Sequence, residues 1–144
     1  MNTKQVIVMR KFPNLRTGKY ISQACHASMS FLTKEGDIDY ELYESWGNIT
    51  RIYSFTNTSY EIISNREEIN HWLKNSFRKI VCCVNSEEEL KELHEKALDS
   101  GLMSHMIEDN GATEFNGVKT LTALAIGPHE DSKFIGITDH LPLL

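Results

Sequence analysis

Much that would type a chain at a glance is missing from these 144 residues. Nowhere do eighteen apolar residues run consecutively, so no segment reads as a membrane-spanning helix. The amino end runs into a strand pattern without the basic, apolar and small-residue regions of a secretory leader. Three cysteines are too few, and odd in number, for a disulfide framework; Cys82 and Cys83 are strand neighbours whose side chains leave opposite faces. A soluble protein of a reducing cytoplasm, with no membrane partner, is expected. His71, His94, His105, His129 and His140 have no companions at metal-ligand spacing, so no metal site is expected. The glycines form neither a P-loop nor a dinucleotide-binding fingerprint. Repeats and low-complexity tracts are also lacking.

Acidic residues are missing from one stretch in particular. Residues 1–34 hold Lys4, Arg10, Lys11, Arg16, Lys19 and Lys34 with no acid, whereas the remainder carries nine basic and twenty acidic residues, for a net charge of −5 overall. Such asymmetry reads either as one electropositive face suited to a limited stretch of phosphate backbone or as basic side chains scattered over the surface. With 40% hydrophobic residues the chain is long enough for one globular domain with a core of its own.

The pattern along the chain is that of an α/β protein. Residues 4–10 carry Val6, Ile7, Val8 and Met9 in succession, apolar enough for burial on both faces, which predicts a central strand. A loop with Pro13 and Asn14 leads to a helix over about 18–33. Its polar stripe is Lys19, Gln23, His26 and Ser30; Tyr20, Ala24, Ala27 and Phe31, with Ile21, Cys25 and Leu32, form the expected core face. Residues 34–65 are weakly patterned, with a hairpin over 52–63 turning at Asn57-Thr58. Residues 65–75 read as a helix capped by Asn65 with Glu68 at the third position and an apolar stripe of Ile69, Trp72 and Leu73. A strand over 80–84, a helix opened by the capping box Ser86-Glu87-Glu88-Glu89 and closed at Ser100-Gly101, and a strand over 102–107 form a βαβ unit with parallel strands. The last strand spans 120–126, stopped by Gly127-Pro128, and a short helix is expected over 131–137.

Lys19 follows the first strand and Asp109 the third, and open α/β sheets place ligands beyond the carboxyl ends of their strands. Lysine in a first helical turn, beside unpaired N–H groups and the positive end of the helix, suits a phosphate or a developing oxyanion. The set fits hydrolysis of an activated ester. Asp109 would accept a proton from water or fix a neighbouring donor, Lys19 would stabilise a tetrahedral intermediate, and Thr113 and Thr122 would position the water. The competing reading makes Asp109-Asn110-Gly111 an ordinary turn in which Thr113 satisfies its own backbone. His26 is placed either to move protons or to bond a neighbour. Cys25 and His26 are no dyad, because helix neighbours diverge by about 100°.

Gly18-Lys19 with Gln23, then His26-Ala27-Ser28, Asp109 with Gly111 and Thr113, Thr122 leading into Ala125-Ile126-Gly127-Pro128, and Asp139-His140-Leu141 before Leu143-Leu144 together resemble the archaeal and eukaryotic type 2 peptidyl-tRNA hydrolase family. The resemblance spans nearly the whole chain except residues 34–66. It implies a single-domain mixed four-stranded sheet with helices on both faces, usually a homodimer, with no metal and no cofactor. The implied reaction is hydrolysis of the ester between a peptide, or an N-blocked amino acid, and the 3′ end of tRNA. By motif position Lys19, Asp109, Thr113 and Thr122 match the family's catalytic set, with Arg16, Gln23 and His26 as substrate-binding candidates.

Two departures stand out. Where the family commonly reads Asp-Ala-Gly-Arg-Thr-Gln, this chain has Asp109-Asn110-Gly111-Ala112-Thr113-Glu114, losing a cation and gaining an acid beside the implied substrate. The loop before Thr122 is about one residue longer, which offers Thr120 as an alternative, and residues 34–66 form an insertion suited to RNA contact, dimer packing or mere surface. The rival functional readings are a catalytically silent tRNA- or RNA-binding homologue and an interaction module seated in that insertion.

Overall fold

Val6 and Val8 leave strand β1 (Thr3–Arg10) on one side and Ile7 and Met9 on the other, and all four are buried. A strand that is apolar on both faces needs cover on both. The computed structural model describes residues 1–34, 36–57 and 59–144, and of residues 36–41, 43, 45, 50–55 and 57 the backbone alone. In it β1 lies inside a mixed sheet of order β4-β1-β6-β5, with β4 at Lys79–Val84, β5 at Ser104–Asp109 and β6 at Thr120–Glu130. Helices α1 (Thr17–Thr33) and α3 (Arg66–Lys74) cover one face, and α4 (Glu87–Asp99) covers the other. The single domain and the α/β class expected from the sequence are therefore observed, with helices on both faces.

Side-chain size follows the layers. Towards α4 the sheet presents Leu124 and Ile126 of β6 beside Val6 and Val8, packed on Leu90, Leu93 and Ala97. Towards α1 the apolar side chains of β6 are only Ala123 and Ala125, against Ala27, so small residues line this side of the strand. Gln5, fully buried in β1, ties the same helix down: Ser28 Oγ donates to its Oε1 at 2.7 Å, and its Nε2 donates to the Ser28 carbonyl at 2.9 Å. The capping box of α4 forms, with Ser86 Oγ accepting from the Glu89 N–H at 3.2 Å, while the Glu89 carboxylate accepts from the Asn85 N–H.

Several expectations need correction. β4 and β5 run in the same direction, as the βαβ reading requires, but β1 and β6 lie between them, so α4 crosses two strands. β6 does not stop at Gly127-Pro128. Its extra residue is taken up by a bulge opposite Lys4–Val6, Gly127 supplies the positive φ of 85°, and pairing resumes at His129 and Glu130. The hairpin lies earlier than expected and is formed by β2 (Gly36–Ser45) and β3 (Asn48–Asn57), turning at Trp46 and Gly47, which have φ of 53° and 78°. Two successive positive φ values are what a two-residue hairpin turn demands. Of the expected turn Asn57-Thr58, Asn57 ends β3 and Thr58 lies outside the described residues; Tyr60–Ser64 form the short helix α2 instead of a strand. In α3, Leu73 is exposed and Asn65 makes no side-chain cap; Glu68 turns inward to His129 and the Glu130 N–H.

The buried side of α1 also differs from the expected one. Ile21 and Cys25 are exposed, whereas Gln23 and Ser30 of the polar stripe are buried with Ala27 and Phe31. The helix is turned towards its polar stripe because those two residues find partners inside: Ser30 bonds the Ala27 carbonyl, and Gln23 enters the cluster described next.

Candidate active site

Asp109 is the last residue of β5, and its alternation with Ile107 and His105 points it towards α1. Lys19, in the first turn of α1, reaches it across the sheet face. Its Nζ donates to Asp109 Oδ1 at 2.8 Å and to Thr113 Oγ1 at 3.0 Å. Gln23, one turn on, donates from Nε2 to the same Oδ1 at 3.2 Å, and the Gly111 N–H donates to Oδ2 at 3.0 Å. Both charged side chains are nearly withdrawn from solvent, at 12% exposure for Lys19 and 11% for Asp109. The hydrogen bond from Lys19, joined by those from Gly111 and Gln23, outweighs burial and holds the Asp109 carboxyl below the usual carboxylate range. Asp109 is a carboxylate at neutral pH.

Gly111 shapes the turn that makes this possible. Its φ is 79°, and a Cβ there would come within 2.5 Å of the Val118 carbonyl oxygen, so glycine is required both by conformation and by space. The Asp-Asn-Gly turn and the charged cluster, posed as alternatives by the sequence, are one structure.

Thr122 enters through a second irregularity. Pairing of β5 with β6 shifts between Ile107 and Glu108, leaving Thr122 as the extra residue of β6, so Thr122 and the next residue, Ala123, both face α1. Buried there, its hydroxyl donates to Gln23 Oε1 at 2.5 Å. Both ends of the Gln23 amide are thus engaged, one by Thr122 and the other by Asp109. Thr120, the alternative, stands opposite Asp109 in the ladder but turns its hydroxyl to the Val118 carbonyl.

The remaining candidates lie further out. Arg16 caps no helix with its side chain; it is exposed and ion-paired with Glu114 at 2.8 Å. His26 is exposed, makes no hydrogen bond to the cluster, and borders a groove beside Ile107. The sequence did not point to the aromatic wall of the site. Phe115, at a φ of 66°, packs on Phe12 at 4.8 Å between ring centres, and Lys19 Nζ lies 5.9 Å from its ring. Tyr20 fixes Phe12 by bonding both its N–H and its carbonyl. A phenylalanine in a polar loop was the only available signal.

A family model described as Peptidyl-tRNA hydrolase PTH2 matches residues 3–144. The chain belongs to this family. Among its relatives, the peptidyl-tRNA hydrolase of Methanocaldococcus jannaschii is 33% identical over 141 residues, covering 98% of this chain and 99% of the relative. That of Nanoarchaeum equitans is 31% identical over 140 residues, covering 97% of each. A probable peptidyl-tRNA hydrolase 2 of Dictyostelium discoideum is 28% identical over 97% of this chain but only 54% of its own length. Within the family fold the Lys19, Asp109, Gln23 and Thr122 side chains form one hydrogen-bonded chain from the surface to the core. Among the described residues no group of three or more His, Cys, Asp or Glu is placed to hold a metal ion.

Proposed function

We propose that this chain hydrolyses the ester joining a peptide, or an N-blocked amino acid, to the 3′ end of tRNA. Family membership supplies the substrate class, and the observation that carries the reading is the nearly buried Lys19–Asp109 pair with Thr113 at its mouth. An ammonium has three donors, and two of those of Lys19 are taken by Asp109 and Thr113. The third is available to the oxygen of a tetrahedral intermediate, where a fixed charge shielded from water is most effective. A carboxylate offers about four acceptor positions. Three of those on Asp109 are filled, and the one left on Oδ2 suits the attacking water.

Because its carboxyl titrates below the usual range, Asp109 is a weak base, better fitted to orient water and Lys19 than to carry a proton away. Thr113, which is exposed, is the hydroxyl within reach of substrate. Gln23 and Thr122 act as positioning residues through Asp109. No side chain caps α1 and no acid lies in its first turn, so the positive end of the helix and Arg16 face incoming phosphate. His26 borders the acyl side. Family membership also supports a cytoplasmic homodimer with tRNA as its partner; that residues 34–66 are an addition to the family domain rests on their weak patterning in the sequence.

The test is release of tRNA from N-acetyl-aminoacyl-tRNA by the purified protein without added metal. Multiple turnovers that Lys19→Ala abolishes are expected. Binding of tRNA without any cleavage would instead establish a silent RNA-binding homologue.

A further inference from the structure

The two edges of the main sheet are treated differently. The outer edge of β4 is covered by the C-terminal tail: Cys82 bridges Leu143, the Cys83 N–H bonds the Pro142 carbonyl at 2.9 Å, and the Leu144 N–H bonds the Val81 carbonyl at 3.1 Å. The outer edge of β5 pairs with no strand among the described residues. An unpaired edge is ordinarily blunted or covered, because its free N–H and carbonyl groups are a template for another strand.

The Gly127 N–H bonds the Met103 carbonyl at 2.9 Å. With β5 and β6 antiparallel in that register, alternate residues face β6, and Ser104 and Met106 direct their N–H and carbonyl groups outward. Along this edge lie two adjoining cavities that share Lys34. One, of about 350 Å³, is bounded by Met29, Met106 and Ile107 and ends beside His26. The other, of about 590 Å³, continues past Ser104 and His105 to Tyr60 and Leu98. The nearer one stops two residues short of Asp109.

We propose that this trough holds the peptidyl part of the substrate as an added strand on β5. The inference rests on the esterase reading, which puts the C-terminal carbonyl of the peptide at Lys19 and Asp109. From there the peptide runs back past Ile107 towards Ser104, parallel to β5. Six residues at about 3.3 Å each span roughly 20 Å, the length of the strand itself. Main-chain pairing accepts any sequence, as an enzyme acting on unfinished peptides requires, and the apolar wall of Met29 and Met106 takes alternate side chains.

The test uses tRNA whose terminal adenosine carries a 3′-amino group, acylated through a stable amide with either N-acetylalanine or an acetylated hexapeptide. Binding is read by fluorescence anisotropy. The hexapeptide is expected to bind about tenfold tighter, since each net hydrogen bond contributes roughly two- to tenfold. N-methylation of the alternate amides facing β5 abolishes that gain, and N-methylation of the intervening amides leaves it. Met29→Trp, a change at a surface position that fills the groove, removes the gain without altering N-acetylalanine binding. Equal affinity for the two ligands, or equal loss from both methylation patterns, would overturn the added strand. Hydrolysis of the ester-linked substrate, assayed on the same preparation, reports on the esterase reading separately, because the binding comparison requires no turnover.

Discussion

Replacing Asp109 by Asn removes a charge while keeping shape, and the structure says what must follow. The carboxylate accepts from Lys19 at 2.8 Å, from Gln23 at 3.2 Å and from the Gly111 N–H at 3.0 Å. An amide has one oxygen to serve these donors, so its NH2 group must face either the Lys19 ammonium or the Gly111 N–H, donor against donor. Lys19 then loses the partner that aims it. If its role is to hold the developing oxyanion, the loss should resemble removal of one such donor, about 100- to 1000-fold in kcat or roughly 3–4 kcal/mol. The unmatched polar groups should cost about 1–3 kcal/mol of stability.

The assay is tRNA release from N-acetyl-aminoacyl-tRNA under saturating and limiting substrate, with thermal unfolding and tRNA binding measured on the same variant. A large fall in kcat with KM little changed is expected. The pH profile adds a second check. A carboxyl held below its ordinary range stays ionised, and keeps its contribution, until the pH falls through that lowered value, so the wild type should show no break where ordinary aspartates titrate, at about pH 4. An unchanged kcat in Asp109→Asn would remove Asp109 from the mechanism, and a break at the ordinary value would mean that Lys19 does not hold it.

Glu114→Gln frees Arg16 from an exposed ion pair worth at most about 1 kcal/mol of stability, so KM should fall, kcat should stay level, and the salt dependence of tRNA binding should steepen by about one unit; an identical salt slope would show that Arg16 meets no phosphate. Thr122→Val leaves Gln23 Oε1 buried without its donor, which should lower the free energy of unfolding by about 1–3 kcal/mol, read by urea titration, and reduce kcat, whereas Thr122→Ser should preserve both. Burial pushes His129, His105 and His94 below the usual histidine value, so each stays neutral in the fold while the unfolded chain takes up protons. Stability should then be full above about pH 6.5 and fall below it, by up to about 1.4 kcal/mol per pH unit for each histidine, as the pH drops towards the lowered folded values. Urea midpoints that stay level between neutral and mildly acidic pH would contradict this.

Local periodicity and the chemistry of element ends account for the part of the fold that was legible in the sequence. Four successive apolar residues in β1 require cover on both faces whatever surrounds them, and Ser86 with Glu89 starts α4 through bonds made within a single turn. The positions of Lys19 after one strand and Asp109 at the end of another were legible for the same reason. Tertiary structure decided how those residues meet. Lys19 and Asp109 are 90 positions apart and Gln23 and Thr122 are 99 apart, and no local pattern records such pairings. Strict alternation would set Thr122 on the α4 side with Leu124 and Ile126; one bulged residue reverses that parity and delivers it to Gln23. Gln23 itself looked like a solvent-facing member of a polar stripe, and it is buried because Thr122 and Asp109 satisfy both ends of its amide. Glu68 looked like half of a capping box, and it is drawn inward because His129, Lys133 and the Glu130 N–H meet it there. A polar side chain is buried where distant partners can replace its water, and only the folded chain brings those partners together.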